Sequence, residues 1–163
     1  MTDINSAPFR VFAGKILPEW LSAGAPHMNV AQYLKLFDDA STMLLESLGI
    51  GPTYFATTHH AYVAAEVHMT YLQEMHAGDM ALVDITIADA DAKRLYLALE
   101  MFREGDPARV CLGEMMFVSM DLTTRRSAPW AGNVTPRIEA ARTLHAALPR
   151  PKGLGRSIGI KRA

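Results

Sequence analysis

Residues 29–50 read NVAQYLKLFDDASTMLLESLGI, and the fold turns on this stretch. Val30, Leu34, Phe37, Ser41, Leu44 and Leu48 alternate spacings of four and three, so on a 3.6-residue period they form one stripe, which Tyr33 and Ala40 widen. Asn29 is a good N-cap, and Gln32 three residues later is placed to bond back to the cap N–H. Gly49 supplies the stop, reinforced by Gly51 and Pro52. At ~1.5 Å per residue the helix Asn29 to Leu48 spans ~30 Å. One helix of that length can cross the whole face of a small sheet.

The flanking segments supply the sheet. Phe9 to Leu17 is β-branched and aromatic, reads as a strand, and is ended by Pro18. Ser22 to Pro26 is a small-residue loop. Tyr62 to Leu72 reads as a long strand with Val63, Ala65, Val67, Met69 and Tyr71 on one face and Tyr62, Ala64, Glu66, His68 and Thr70 on the other. After a turn at Ala77-Gly78-Asp79, Met80 to Ala88 alternates again until Asp89 to Asp91 breaks it. Arg94 to Phe102 and Val110 to Leu122 are two more strands, joined through Glu104-Gly105-Asp106-Pro107. Thr135 as N-cap and Pro136 at the first position start a short helix through Ala147, which Pro149 and Pro151 end. A strand, one long helix and four strands in an antiparallel meander make an α+β pattern, most simply a sheet wrapped around the helix.

Composition narrows the class. A chain of 163 residues is one domain, and it buries ~70% of its unfolded surface without help from disulfide or metal. Cys111 is the single cysteine, which excludes an intrachain disulfide and a multi-cysteine metal site; in its apolar strand it reads as core rather than nucleophile. Residues 1–15 do not read as a signal peptide, and no apolar run approaches the ~18 residues of a membrane span, so a cytoplasmic protein is expected. The net charge of -1 hides a split: residues 1–134 hold 9 Lys/Arg and 16 Asp/Glu, whereas residues 135–163 hold 7 Lys/Arg and one acid, Glu139. The basic tail lacks the interleaved aromatics of a nucleic-acid binder, and the acidic body repels a duplex.

Pro18-Glu19-Trp20, then His27-Met28-Asn29, then a helix with Tyr33, Phe37 and Ala40, is similar to the start of the central helix in 4-hydroxybenzoyl-CoA-thioesterase-like proteins of the hotdog fold. Glu66-x-His68-x-x-Tyr71-Leu72-x-Glu74 followed by Gly78-Asp79 resembles that family's second strand and its turn. Asp89-Ala90-Asp91-Ala92-Lys93-Arg94-Leu95, Arg125-Arg126-Ser127-Ala128-Pro129 and His145-Ala146-Ala147-Leu148-Pro149-Arg150-Pro151 with Gly155-Arg156 resemble the betainyl-CoA thioesterase subgroup associated with carnitine breakdown. The resemblance implies a hotdog domain over residues 1–134, with residues 135–163 as a C-terminal helix and basic tail on the same domain. It also implies hydrolysis of an acyl-CoA thioester without a cofactor, in a homodimer or dimer of dimers whose sheets join edge to edge and whose two active sites lie at the subunit interface. The thioester carbonyl would be polarised by the amino end of the central helix, at His27-Met28-Asn29-Val30.

One departure stands out. Many relatives carry an Asp between the Trp and the His, whereas this chain reads Trp20-Leu21-Ser22-Ala23-Gly24-Ala25-Pro26-His27-Met28-Asn29, with Ser22 or Ala23 at the corresponding position. The non-catalytic alternative, a hotdog dimer that binds acyl-CoA without turnover, rests on that missing acid, and the same absence argues against a hydratase. The catalytic candidates are then His27, Asn29 and Glu66, each with a plainer reading: a loop histidine, an N-cap and a strand-face carboxylate. Trp20, Thr58, His60 and Tyr71 are candidate substrate contacts, and Phe117 and Trp130 are further aromatics available to a quaternary ammonium. Arg125, Arg126 and Arg156, with Arg150 and Lys152, are candidates for the CoA phosphates; the other reading of the tail is that it packs across the acidic body. His60 and His68 lie ~27 Å apart on one extended strand, so no metal site is expected. Ser22 has no Gly-x-Ser-x-Gly context.

Overall fold

Helix α1 (Val30–Ser47) is the axis of the computed structural model, which describes residues 7–160. The first residues of the segment read against a signal peptide, and Lys161 and Arg162 of the tail, lie outside that range. Asn29 caps the helix, its Oδ1 accepting the Ala31 N–H at 2.9 Å. At the other end Gly49 takes φ +90°, Ile50 N–H donates to the Leu45 carbonyl (2.8 Å) and Gly49 N–H to that of Glu46 (2.9 Å), the paired bonds of a Schellman stop. The buried face comprises Tyr33, Leu36, Phe37, Ala40, Ser41, Leu44 and Leu45. It is wider than the expected stripe, because a sheet curled around a helix covers a broad arc. Val30 (57% exposed) and Leu34, expected inside, face solvent. Gly51 and Pro52 do more than reinforce the stop. Pro52 opens a seven-residue helix, α2 (Pro52–Thr58), too short to carry a periodic signal.

Strands β1 (Phe9–Lys15), β2 (His60–Tyr71), β3 (Met80–Ala90), β4 (Arg94–Arg103), β5 (Arg109–Asp121) and the short β6 (Arg126–Ser127) form one antiparallel sheet in the order β1-β3-β4-β5-β2, with β6 on β5. The expected four-strand meander is therefore corrected. Only β3-β4-β5 is a meander, and β2 pairs with β5 at the far edge. The reason lies in residues 72–79, which do not make a hairpin but cross the amino end of α1. Leu72 N–H bonds to Val110 on the β5 side, Met75 O accepts from Met28, and Gly78 and Asp79 exchange backbone bonds with Ile16 on the β1 side.

Two bulges change what alternation alone implies. The β2–β5 register shifts between Ala64 and Glu66, so Ala65 is an extra residue. Tyr62 and Ala64 thereby share the helix-facing side with Val67, Met69 and Tyr71, while Val63 joins Glu66, His68 and Thr70 on the outer face. The expected two faces of β2 are corrected accordingly. A second shift between Ile87 and Asp89 lets β3 run on to Ala90 through the aspartate expected to break it. Helix α3 (Val134–His145) starts one residue before the expected cap, Thr135, with Pro136 still in the first turn, where its missing N–H costs nothing. It packs on β3, where Ile87 N–H donates to the buried His145 Nδ1 at 2.9 Å.

Helix and sheet approach closely at Gly113. A Cβ built there would lie 2.6 Å from Phe37 Cε2, and Phe37 has no exposed surface. Gly113→Ala is expected to cost about 1–3 kcal/mol through overpacking, read as a lower urea midpoint at unchanged m-value.

Candidate active site

The amino end of α1 is assembled by three segments. Residues 18–20 form a short 3-10 turn, and the loop after it closes on itself, with Ser22 N–H on the His27 carbonyl (2.9 Å) and a bridge between Leu21 and Met28. Asn29 N–H donates to the Trp20 carbonyl at 2.8 Å, so the cap N–H is taken by backbone rather than by the Gln32 side chain expected from the capping pattern. Ala31 N–H is held by Asn29 Oδ1, and Gln32 N–H by the Asn29 carbonyl at 3.0 Å. That leaves the Val30 N–H as the first-turn donor with no protein acceptor among the described residues, on the exposed side of the helix end.

The third segment, residues 71–76, lines the same end. Met75 is fully buried; its N–H donates to Tyr33 Oη (3.1 Å) and its carbonyl accepts from Met28 N–H (2.7 Å). Tyr71 stands edge-on to Tyr33 with centroids 5.2 Å apart, its hydroxyl 3.5 Å from the Val30 carbonyl. Burial raises the pKa of both tyrosines, keeping them neutral. On either side of Met75, Glu74 reaches His27 (Oε1 to Nδ1, 3.5 Å) and His76 (Oε2 to Nε2, 3.5 Å), and His27 and His76 form a bridge. Burial pushes the Asp79 carboxyl up, but the His76 N–H and Arg103 outweigh it and hold it below the usual range. Local sequence pattern does not single out Glu74 and His76; the one signal is Glu74 closing the family-like strand pattern.

Glu66 is placed elsewhere, on the outer face of the sheet, where it lines a pocket of about 540 Å³ with His68, Tyr96, Glu114, Met116 and Arg156. Glu114 is only 8% exposed. It accepts from the Tyr96 hydroxyl, from Gly155 N–H at 2.8 Å, and lies 3.3 Å from His68 Nδ1. Burial and the bond to Glu114 raise the Tyr96 pKa. Glu114 is the polar centre that sequence reading missed, an acid inside the apolar run of β5. The tail packs against this face, tied also by Arg109 Nη2 to the Lys152 carbonyl at 2.6 Å.

His60 opens β2, ~36 Å along the strand from Tyr71, and Thr58 ends α2 just before it. Thr58 Oγ1 donates to the Tyr54 carbonyl (2.6 Å) and accepts His60 N–H (3.2 Å), while the buried His60 Nδ1 has no partner. Arg125 (φ +59°) and Arg126 occupy the turn into β6 at that same end, where Arg126 pairs with Asp121 beside His60. Within one chain the candidates thus fall into three places. His27, Asn29, Trp20 and Tyr71 meet at the helix end; Thr58, His60, Arg125 and Arg126 cluster at the start of β2; Glu66 and Arg156 share the outer pocket. Phe117 and Trp130 are buried in the core and offer no face to a cation. His60 and His68 lie on opposite faces of β2, and among the described residues no group of three or more potential ligands is placed to hold a metal ion.

The thioesterase-like superfamily profile matches residues 17–138. The chain belongs to that superfamily. It is 32% identical over 145 residues to the betainyl-CoA thioesterase of Pseudomonas aeruginosa, covering 89% of this chain and 91% of the relative. The L-carnitine dehydrogenase/betainyl-CoA thioesterase of Rhizobium meliloti is 27% identical over 157 residues; this chain spans 31% of that longer protein. A Staphylococcus aureus protein crystallised with CoA superposes with a TM-score of 0.87 at 25% identity, covering 96% of this chain and 98% of that one. A 1,4-dihydroxy-2-naphthoyl-CoA thioesterase from Synechocystis shares the fold at a TM-score of 0.67, 18% identity and 89% and 98% coverage. The superfamily's fold is the α+β hotdog, a curled antiparallel sheet around one long helix.

Cys111 takes no part in this site. Buried on β5, its thiol is pushed up to about 12 by desolvation. A disulfide reagent at pH 8 is expected to leave the native thiol unmodified over minutes and to titrate one thiol once the chain is unfolded in guanidinium, measured by absorbance.

Proposed function

We propose that this chain hydrolyses a small acyl-CoA thioester to the free acid and CoA, with betainyl-CoA the first candidate substrate, in the cytoplasm where CoA esters are made and used. The observation that carries the reading is the open Val30 N–H at the amino end of α1, in a chain of the thioesterase-like superfamily. A carbonyl oxygen placed there gains a hydrogen bond and the field of the helix, and both strengthen as negative charge develops during attack. A betainyl trimethylammonium suits the faces of Tyr71 and Trp20 beside that donor. Arg125 and Arg126 are the proposed contacts for the CoA phosphates.

The working unit is a dimer joined through β2. Among the described residues this strand has β5 on one side and no strand on the other, and it exposes Val63, Val67, Tyr71 and Leu72. Antiparallel pairing of two such edges brings the start of one β2 to the end of the other. His27, Asn29 and Tyr71 of one chain then face the partner's Thr58, the partner's His60, the partner's Arg125 and the partner's Arg126. Two of the three groups of candidates that lie apart in one chain are gathered into one site.

Thiol release from a panel of short CoA esters, betainyl-CoA included, tests the activity; binding with no CoA released supports the non-catalytic alternative instead. Val30→Pro tests the donor. Proline at the first helical position is compatible with the helical backbone and removes the N–H. The expected result is a loss of about 10²–10³ in kcat with little change in Tm. Val63→Lys places two like charges near the centre of the proposed dimer seam and is expected to give a monomer by sedimentation equilibrium that no longer releases thiol.

A further inference from the structure

Thioester hydrolysis at the helix end needs a group that activates water there, and residues 20–29 hold no carboxylate. We propose that Glu74 is the catalytic base of this chain, a carboxylate delivered to the amino end of α1 by the segment after β2, with His27 as its positioning residue. The assignment rests on the thioesterase reading above and names the group that deprotonates water within it.

Three observations carry it. First, among the described residues Glu74 is the carboxylate in contact with the 27–30 segment, through His27 Nδ1 at 3.5 Å. Glu66 lies on the outer face of the sheet, and Asp79 is consumed by Arg103 Nε (2.9 Å) and His76 N–H (2.9 Å). Second, the backbone that carries Glu74 is clamped. Its own carbonyl accepts from Arg103 Nη2 at 2.7 Å, and the next residue, Met75, is buried and bonded to both Met28 and Tyr33. The same Met75–Met28 bond sits two residues from Val30, so the base and the carbonyl-polarising donor are held by one piece of scaffold. Preorganisation of this kind is what a catalytic pair needs, because misplacement by an ångström costs orders of magnitude. Third, the Glu74 side chain itself is 61% exposed and its contacts are imidazoles at hydrogen-bonding limits, not a saturating Arg or Lys. It is anchored at the backbone and open at the carboxylate, as a base that must meet water and substrate has to be.

The chemistry balances without a cofactor. Glu74 takes a proton from water as the water oxygen bonds to the thioester carbon, and the carbonyl electron pair moves onto the oxygen held by Val30 N–H. Collapse of that intermediate breaks the C–S bond, and the proton on Glu74 passes to the departing sulfur, leaving free acid and CoA with Glu74 restored. His27 and His76 face the two carboxylate oxygens, and the titratable groups around Glu74 are these imidazoles, with Asp79 and Arg103 behind them.

Glu74→Gln keeps the shape and removes the base. With a CoA ester that the wild type hydrolyses, kcat is expected to fall by at least about 10²-fold while KM moves less than about threefold and Tm is unchanged. Glu74→Asp retains part of the rate, and added formate restores activity to Glu74→Ala. His27→Gln lowers kcat less than Glu74→Gln and shifts the acid limb of the pH–rate profile. Glu139→Gln, on α3 where the carboxylate pairs with Arg142, is the control that stays at the wild-type rate. A Glu74→Gln variant within about threefold of the wild-type kcat overturns the assignment while leaving the thioesterase activity standing. A wild type that releases no thiol from any ester overturns that activity and the role of Glu74 together.

Discussion

Met75 holds the functional end of this molecule together. Its side chain has no exposed surface, and its two backbone groups are both spent on the start of α1, one on Tyr33 Oη and one on Met28 N–H. An unpaired buried backbone group costs as much as a lost hydrogen bond or more, so residues 72–79 cannot leave the helix end without exposing a hydrophobic residue and orphaning both partners. The crossing of that segment is what sends β2 to the far edge of the sheet, stations Glu74 and His76 beside His27, and brings Tyr71 onto Tyr33. Edge, helix end and carboxylate thus follow from one buried residue.

The long helix, the strands and the hotdog class were legible because each rests on a repeating pattern that a one-residue error does not destroy. What was not legible depends on single events. Ala65 is an unremarkable alanine in the sequence, yet as the extra residue of a bulge it puts Tyr62 and Glu66, expected on one face, on opposite faces. The pairing of β2 with β5 instead of β3 depends on a connector whose composition resembles any turn. Val30 and Leu34 continue an apolar stripe that the sheet does not cover at that end. Among the candidate site residues, His27, Asn29 and Tyr71, singled out by local pattern, stand together at the helix end. Glu74 was hidden because the His27 it reaches lies 47 residues earlier in the chain, and Glu114 because an acid amid Leu112, Met115 and Met116 reads as an interruption of core.

The charge split also finds a structural setting. The tail lies along the outer face, bonded through Gly155 to Glu114 and through Lys152 to Arg109. Arg156 shares a pocket with Glu66 and Glu114, and Arg150 is near enough to Tyr96 to oppose the rise in its pKa. A buried carboxylate is tolerable only with donors around it, and the tail supplies one of them. This favours packing on the acidic body as the work of the tail.

The bulge at Ala65 bears on how relatives should be compared. Strand pairing is periodic in two, so a gap set one residue to either side of position 65 moves Glu66 and His68 from the outside of the barrel-like wrap to the helix side, and does so without any loss of apparent similarity. Residue equivalences across β2 therefore have to be drawn through the β5 register, with Val63 opposite Val118 and His68 opposite Glu114, rather than by counting along the strand. An inserted or deleted residue here is, in effect, a switch of address for every side chain beyond it.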